Sequence, residues 1–227
     1  MKIFLAITSF LITVSVACTA SRSAGSPSLV NSNPAVAQSS APTNNPSGQD
    51  RPTCQLTLAG APDIKGLRLG MTPEQVLALF PGSNDDAEVR ASLARPKGAF
   101  GTSSFALRAD KYQSKEKFAG TNQITLRLLD DRVSNLRVGY NGPEFSHVDK
   151  FVVKFSEGTS LPADAWEPYV GMDNNLKILK CTEFEIQVFI GGPDGNLNYV
   201  ELRDLVADKK LKDRKDKARA QATPTPR

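Results

Sequence analysis

Apolar and polar residues alternate strictly through Ile124-Thr125-Leu126-Arg127-Leu128, the pattern of a strand with one buried face. Asp130-Asp131-Arg132 turns the chain, and Leu136, Val138 and Tyr140 resume the alternation, so the spacing predicts a hairpin. Residues 102–109 predict a strand with Phe105 and Leu107 on one face, and 54–58 alternates over a shorter run that predicts a first strand. Further on, Phe184, Ile186, Val188 and Ile190 share one face of a long strand predicted over 178–190. Gly191-Gly192-Pro193-Asp194-Gly195-Asn196 turns the chain, and 197–205 returns beside it.

The helical period shows in three places. Phe145, Val148, Phe151, Val152 and Phe155 form one apolar stripe and predict a helix over 143–157, with Gly158 as its stop. Gly66-Leu67-Arg68-Leu69-Gly70-Met71-Thr72-Pro73-Glu74-Gln75-Val76 reads as an extended entry, a tight turn and the start of a capped helix over 73–80. There Thr72 and Gln75 make a capping box, Pro73 sits at the first helical position, and Met71 and Val76 form a hydrophobic staple. Phe80-Pro81-Gly82 stops that helix. Val89 and Leu93 predict a second short helix over 84–95, with Asn84, Asp85 or Asp86 as its cap. The order is helix, helix, strand, hairpin, helix, hairpin. Strands joined by short turns pair antiparallel, so the expected fold class is α+β, an antiparallel β-sheet with helices packed on one face.

The ends read differently from this body at 53–207. Met1-Lys2 followed by the fifteen mainly apolar residues 3–17 is too short for a membrane span and fits a signal-peptide core. It ends Ser15-Val16-Ala17-Cys18, which resembles a bacterial lipobox: the expected signal peptide is 1–18, with Cys18 as the lipidation site. Ordinary cleavage near 17–24 is the alternative. Residues 19–52 are rich in Ser, Ala, Asn, Pro, Gly and Thr and hold no aromatic, so they predict a disordered linker. The tail, 208–227, is charged and basic; Asp208 with Lys212, and Asp213 with Lys217, have the spacing of helical ion pairs. It reads as a solvated helix extension or as a patch for anionic lipid.

The net charge of +4 belongs to that tail: from Arg203 onward there are nine Lys/Arg and four Asp, which leaves residues 1–202 at −1. A near-neutral body lacks the basic stripe of a nucleic-acid-binding domain, so no nucleic-acid partner is expected. Of the three cysteines, lipidation removes Cys18 and leaves Cys54 and Cys181 as an even pair. In an exported chain that pair predicts a disulfide. On a regular strand Cys181 and Phe184 point to opposite faces, so the bond is expected away from the Phe184 side unless a bulge intervenes. With one His and no CxxC, a metal site is not expected.

Gly70-Met71-Thr72, Val76 and Leu79 resemble the opening motif of the small outer-membrane lipoproteins of the SmpA/BamE group and of β-lactamase-inhibitor-protein-like domains. The resemblance implies two N-terminal helices packed on an antiparallel sheet, with the 124–140 hairpin as its central strands. It departs at Phe80-Pro81-Gly82, where those families carry Leu-Gly-x-Pro, and in the extra segment 143–205.

Chemistry is sparse. His147, the one histidine, has Ser146 and Asp149 near it in sequence, but neighbours so spaced do not face one another on a helix. Asp130-Asp131 suits a turn better than a carboxylate pair, and Asn84-Asp85-Asp86 lacks calcium-loop spacing. The 191–196 glycines precede no helix that would hold phosphate, and Trp166 with Tyr169 reads as partial burial rather than a ligand-stacking pair. No catalytic residue, cofactor or metal ligand is expected. The expectation is a non-enzymatic, exported lipoprotein of the bacterial cell envelope, held to the membrane by a lipid anchor, whose domain binds a protein partner. A secreted inhibitor or small-ligand-binding protein is the alternative.

Overall fold

A computed structural model gives the fold and describes residues 53–141, 145–169, 171, 174–191 and 198–222. These lie in the compact unit Gly48–Arg227. The expected signal peptide with Cys18, the linker 19–52, Pro143, Met172, residues 192–197 and the last five residues lie outside the described residues.

The centre is a seven-stranded antiparallel sheet in the order β1-β2-β3-β7-β6-β5-β4. Its strands are β1 (Thr102–Leu107), β2 (Thr121–Leu129), β3 (Arg132–Tyr140), β4 (Glu167–Pro168), β5 (Leu176–Lys180), β6 (Phe184–Phe189) and β7 (Asn198–Asp204). The helices are α1 (Pro73–Leu77), α2 (Ala87–Leu93), α3 (Val148–Ser156) and α4 (Leu205–Ala222). The fold is α+β, as the patterning predicts. Ile124, Leu126, Leu136, Val138, Val200, Leu202, Ile186 and Val188 point to one face, where they form a continuous core with Val76, Leu77, Val89, Phe151 and Val152 of α1, α2 and α3.

The capping box forms as expected: the Gln75 N–H donates to Thr72 Oγ1 at 3.3 Å, and the Thr72 N–H donates to Gln75 Oε1 at 2.9 Å. The entry to this motif is stitched to the sheet. The Gly70 N–H donates to the Val133 carbonyl at 2.8 Å, and the Val133 N–H donates to the Met71 carbonyl at 2.9 Å. β7 pairs with β3 only from Asn135 onward, which leaves the edge of β3 at Val133 open for that pairing. Removing the cap hydroxyl by Thr72→Ala is expected to cost about 1 kcal/mol in urea unfolding; a loss under about 0.3 kcal/mol would show that Thr72 does not cap α1.

Several boundaries depart from the sequence reading. α1 is α-helical only to Leu77, and three-residue turns carry the chain to Phe80, because Pro81 and Gly82, at φ +92°, prevent its continuation. Asp86 is the cap of α2, accepting from the Glu88 and Val89 N–H groups; residues 83–85 are a 3₁₀ turn, and Leu93 is exposed. The first strand expected over 54–58 does not form: residues 54–57 belong to no strand, and Leu58 begins a 3₁₀ turn, Leu58–Gly60. α3 begins only at Val148, so Phe145 lies before it, though its ring still joins the core side.

The largest correction concerns the strand predicted over 178–190. It is two strands, β5 and β6, folded back at Thr182-Glu183, with the Cys181 N–H donating to the Phe184 carbonyl at 2.8 Å. Cys181 therefore stands opposite Phe184 across the turn, and Cys54, Cys181 and Phe184 share one buried core, so the bond lies on the Phe184 side and not away from it as strand alternation predicts. The Cys54–Cys181 disulfide is present, with Cα atoms 4.4 Å apart and a sequence separation of 127. Beside it the Thr182 N–H donates to the Leu56 carbonyl at 3.2 Å, and the Leu58 N–H donates to Glu183 Oε2 at 2.9 Å.

The charged stretch after Asp208 lies within α4, which follows β7 directly. Asp208 does not pair with Lys212; it takes Arg203 at 2.8 Å. Leu205, Ala207, Asp208, Leu211, Arg214 and Ala218 are the less exposed positions, one stripe at helical spacing. Arg214 forks onto Asp130 at 2.9 and 2.7 Å and also donates to the Phe100 carbonyl, while Lys210 reaches Asp130 at 2.8 Å.

Candidate functional site

Among the described residues, one face of the sheet carries no packed helix except where α4 meets β6 and β7. The register places Thr125 and Arg127 of β2, Asn135 and Arg137 of β3, Tyr199, Glu201 and Arg203 of β7, and Glu185, Gln187 and Phe189 of β6 on that face. Leu176 and Ile178 of β5 extend it, with Leu176 directly opposite Phe189.

Two kinds of order meet there. Phe189 stacks on Tyr199 with ring centroids 5.0 Å apart, and the Arg137 guanidinium lies 4.5 Å from the Tyr199 ring. Arg137, Tyr199 and Phe189 thus form a row across three strands: Phe189 and Tyr199 are register partners, and Arg137, the partner of Glu201, reaches Tyr199 diagonally. Burial pushes the Tyr199 phenol above its ordinary pKa. Beside this row Glu201 is only 6 % exposed, yet fully engaged. It accepts from Asn135 Nδ2 at 2.6 Å and from Arg137 Nε at 2.6 Å, with Arg137 Nη2 in close contact as well. Arg203 next to it spans Glu185 at 3.1 Å and Asp208 at 2.8 Å. The charges are arranged in pairs that fix Arg137 in place while about half of its side chain stays exposed (46 %). The row borders a groove of about 620 Å³, also lined by Arg108, Asp110, Thr121 and Gln123. The Thr121 hydroxyl is buried there without a hydrogen-bond partner among the described residues.

A second concavity lies on the helical side. A cleft of about 780 Å³ runs between residues 59–65, the end of β3 and α3. Phe145 and Phe151 stack at 4.6 Å, and Tyr140 meets Phe151 edge-on at 5.5 Å, which gives the cleft an aromatic wall.

The residues singled out from the sequence do not converge on either place. His147 is exposed at the start of α3. Asp130 and Asp131 occupy the two left-handed positions of the β2–β3 turn, at φ +51° and +60°, and each is taken by a different cation: Arg214 and Lys210 for Asp130, Lys97 for Asp131. The hydrogen bond from Arg214, then that from Lys210, holds Asp130 well below the usual carboxylate range. Trp166 is buried and Tyr169 exposed, so they are not a pair. The apolar stripe of α3 is core on its Val148, Phe151 and Val152 side. No group of three or more His, Cys, Asp or Glu is arranged for a metal among the described residues, and no described helix is long and apolar enough to cross a membrane. The sequence reading missed Arg137, Tyr199, Phe189 and Glu201; their outward strand positions were legible, their adjacency was not. The chain matches no family model, no curated protein and no solved structure.

Proposed function

We propose that this chain is a non-enzymatic lipoprotein of the bacterial cell envelope, tethered through Cys18, whose domain binds a protein partner on the uncovered sheet face. The observation that carries the reading is the Arg137–Tyr199–Phe189 row. Tyr and Arg are the residue types that dominate binding energy at protein interfaces. Here both are held by neighbours before any partner arrives, so little side-chain freedom is left to lose on binding. The export-like N-terminus, the linker composition and the opening motif's resemblance to small envelope lipoproteins support the tether and the compartment. A linker of about 34 residues has a root-mean-square reach of roughly 30 Å, which suits a domain that must meet partners near a membrane.

The test has two readouts. Mass spectrometry of the chain from its native host should show a lipid-modified Cys18 as the mature N-terminus; a water-soluble form starting beyond Cys18 would refute the tether. Cross-linking in native envelopes, with photoreactive groups on the sheet face, should give one defined protein adduct. Tyr199→Ala should then weaken capture of that protein at least tenfold while leaving the unfolding midpoint near that of the parent chain. Capture unchanged by Tyr199→Ala and by Phe189→Ala would remove the sheet face from the interaction.

A further inference from the structure

The helical-side cleft carries an inference independent of the sheet face. Its wall is aromatic: Tyr140, Phe145 and Phe155 are each only partly buried and turn toward it beside the buried Phe151. At 780 Å³ it falls in the size range of small-molecule sites.

The charged groups at the cleft divide into two sets. Asp63, Lys154 and Glu157 are engaged: Asp63 Oδ1 accepts from the Gly66 N–H at 3.1 Å, and Lys154 pairs with Glu157 at 2.7 Å. Lys65 has no carboxylate partner among the described residues. Its ammonium donates to the Ala119 carbonyl at 3.0 Å and lies 5.9 Å from the Phe118 ring, which leaves donor capacity toward the cleft. Burial lowers its pKa below the ordinary value, the sign of a cation short of compensating charge. The Tyr140 hydroxyl likewise has no hydrogen-bond partner among the described residues, and burial alone pushes it up to about 12. It is a neutral donor left open on the same wall.

The backbone at Lys65 adds a second observation. Ile64-Lys65-Gly66-Leu67 closes a tight turn through paired backbone bonds of 2.9 and 3.0 Å, with φ +55° at Lys65 and +91° at Gly66. A turn with two left-handed positions favours Asn, Asp or Gly at the first of them. A lysine there is strained, and it holds the ammonium at the cleft rim.

We propose that this cleft binds a small amphipathic carboxylic acid, its apolar body against the Tyr140, Phe145 and Phe155 wall and its carboxylate at Lys65. One uncommitted cation and one neutral donor match a monoanion; a phosphate dianion would need a second free cation. Of the two carboxylates at the rim, Glu157 is neutralised by Lys154, and Asp63 is turned into its own loop by the bond from the Gly66 N–H, so neither is paired with Lys65.

The probe is cis-parinaric acid, a fluorescent long-chain polyene carboxylic acid, titrated into the purified full chain, with its methyl ester in parallel. Saturable binding at one probe per chain is expected, with the ester at least tenfold weaker. Lys65→Asn removes the ammonium and places in the turn a residue that tolerates a left-handed backbone, so the fold persists. That variant should weaken the acid about tenfold and leave the ester unchanged, while Tyr199→Ala, on the other face of the sheet, should change neither. Absence of saturable binding overturns the proposal, as does equal affinity for acid and ester, or an acid affinity indifferent to Lys65→Asn.

Discussion

Replacing Cys54 and Cys181 together by alanine is expected to lower the stability of the domain by about 4–5 kcal/mol, the chain-entropy value for a loop of this length. The bond joins the first described residues of the domain to the β5–β6 turn, at a sequence separation of 127. In the unfolded chain it removes a large share of the available conformations. In the folded chain it adds little that is not also held otherwise: the Leu56 carbonyl still meets the Thr182 N–H, and Glu183 still meets the Leu58 N–H. Those neighbours keep the native arrangement accessible without the bond, so the variant should fold and simply unfold earlier. For a domain of this size the loss corresponds to roughly 10–15 °C in Tm. Urea unfolding of the double variant should coincide with that of the reduced parent chain. A difference from the oxidised parent below about 1 kcal/mol would show that the bond contributes little to holding the domain together, and two titratable thiols in the non-reduced chain would show that it is not formed.

The contrast between this bond and the strand around it shows which parts of the fold were open to sequence reading. The pairing followed from parity and compartment, which are chemical arguments and need no geometry. The location of Cys181 did not follow, because the Thr182-Glu183 turn uses neither glycine nor a left-handed residue and so leaves no signal between two apolar runs. Where the local chemistry was explicit, as in the Thr72–Gln75 box, the Asp86 cap and the Asp130–Asp131 turn, the structure follows it. The candidate surface was only half legible. Alternation puts Arg137 on the outward side of β3 and Tyr199 and Glu201 on the outward side of β7. Their adjacency depends on β3 pairing with β7 across some sixty residues, and no local pattern encodes that pairing. It results from which strand edges remain free once the two hairpins have formed. Lys65 was missed for a related reason: a charged residue beside a glycine reads as an ordinary loop position, and only the backbone angle sets it apart.

Phe80→Ala is expected to cost about 3–5 kcal/mol, the range for emptying an aromatic site in a packed core. In sequence Phe80 reads as part of a helix stop; in the fold it is the buried centre of an aromatic cluster beneath the β1–β2 connection. Its side chain is fully buried, with ring centroids 4.5 Å from Phe118 and 6.1 Å from Tyr112. Both partners belong to the connection between β1 and β2, where only short turns order the backbone. Removing the ring leaves a void that Phe118 and Tyr112 fill only by drawing that connection inward. The consequences should spread along the bonds that start there. The Thr121 N–H donates to the Phe118 carbonyl, the Asn141 N–H donates to the Gly120 carbonyl, and Lys65 holds the Ala119 carbonyl. Amide exchange at Thr121 and Asn141 in Phe80→Ala should therefore accelerate beyond what the global loss of stability produces. Phe80→Leu, which keeps most of the volume, should cost under about 1.5 kcal/mol and leave those amides protected. If Phe80→Ala loses no more than Phe80→Leu, the β1–β2 connection is held by its own turns and not by this aromatic cluster.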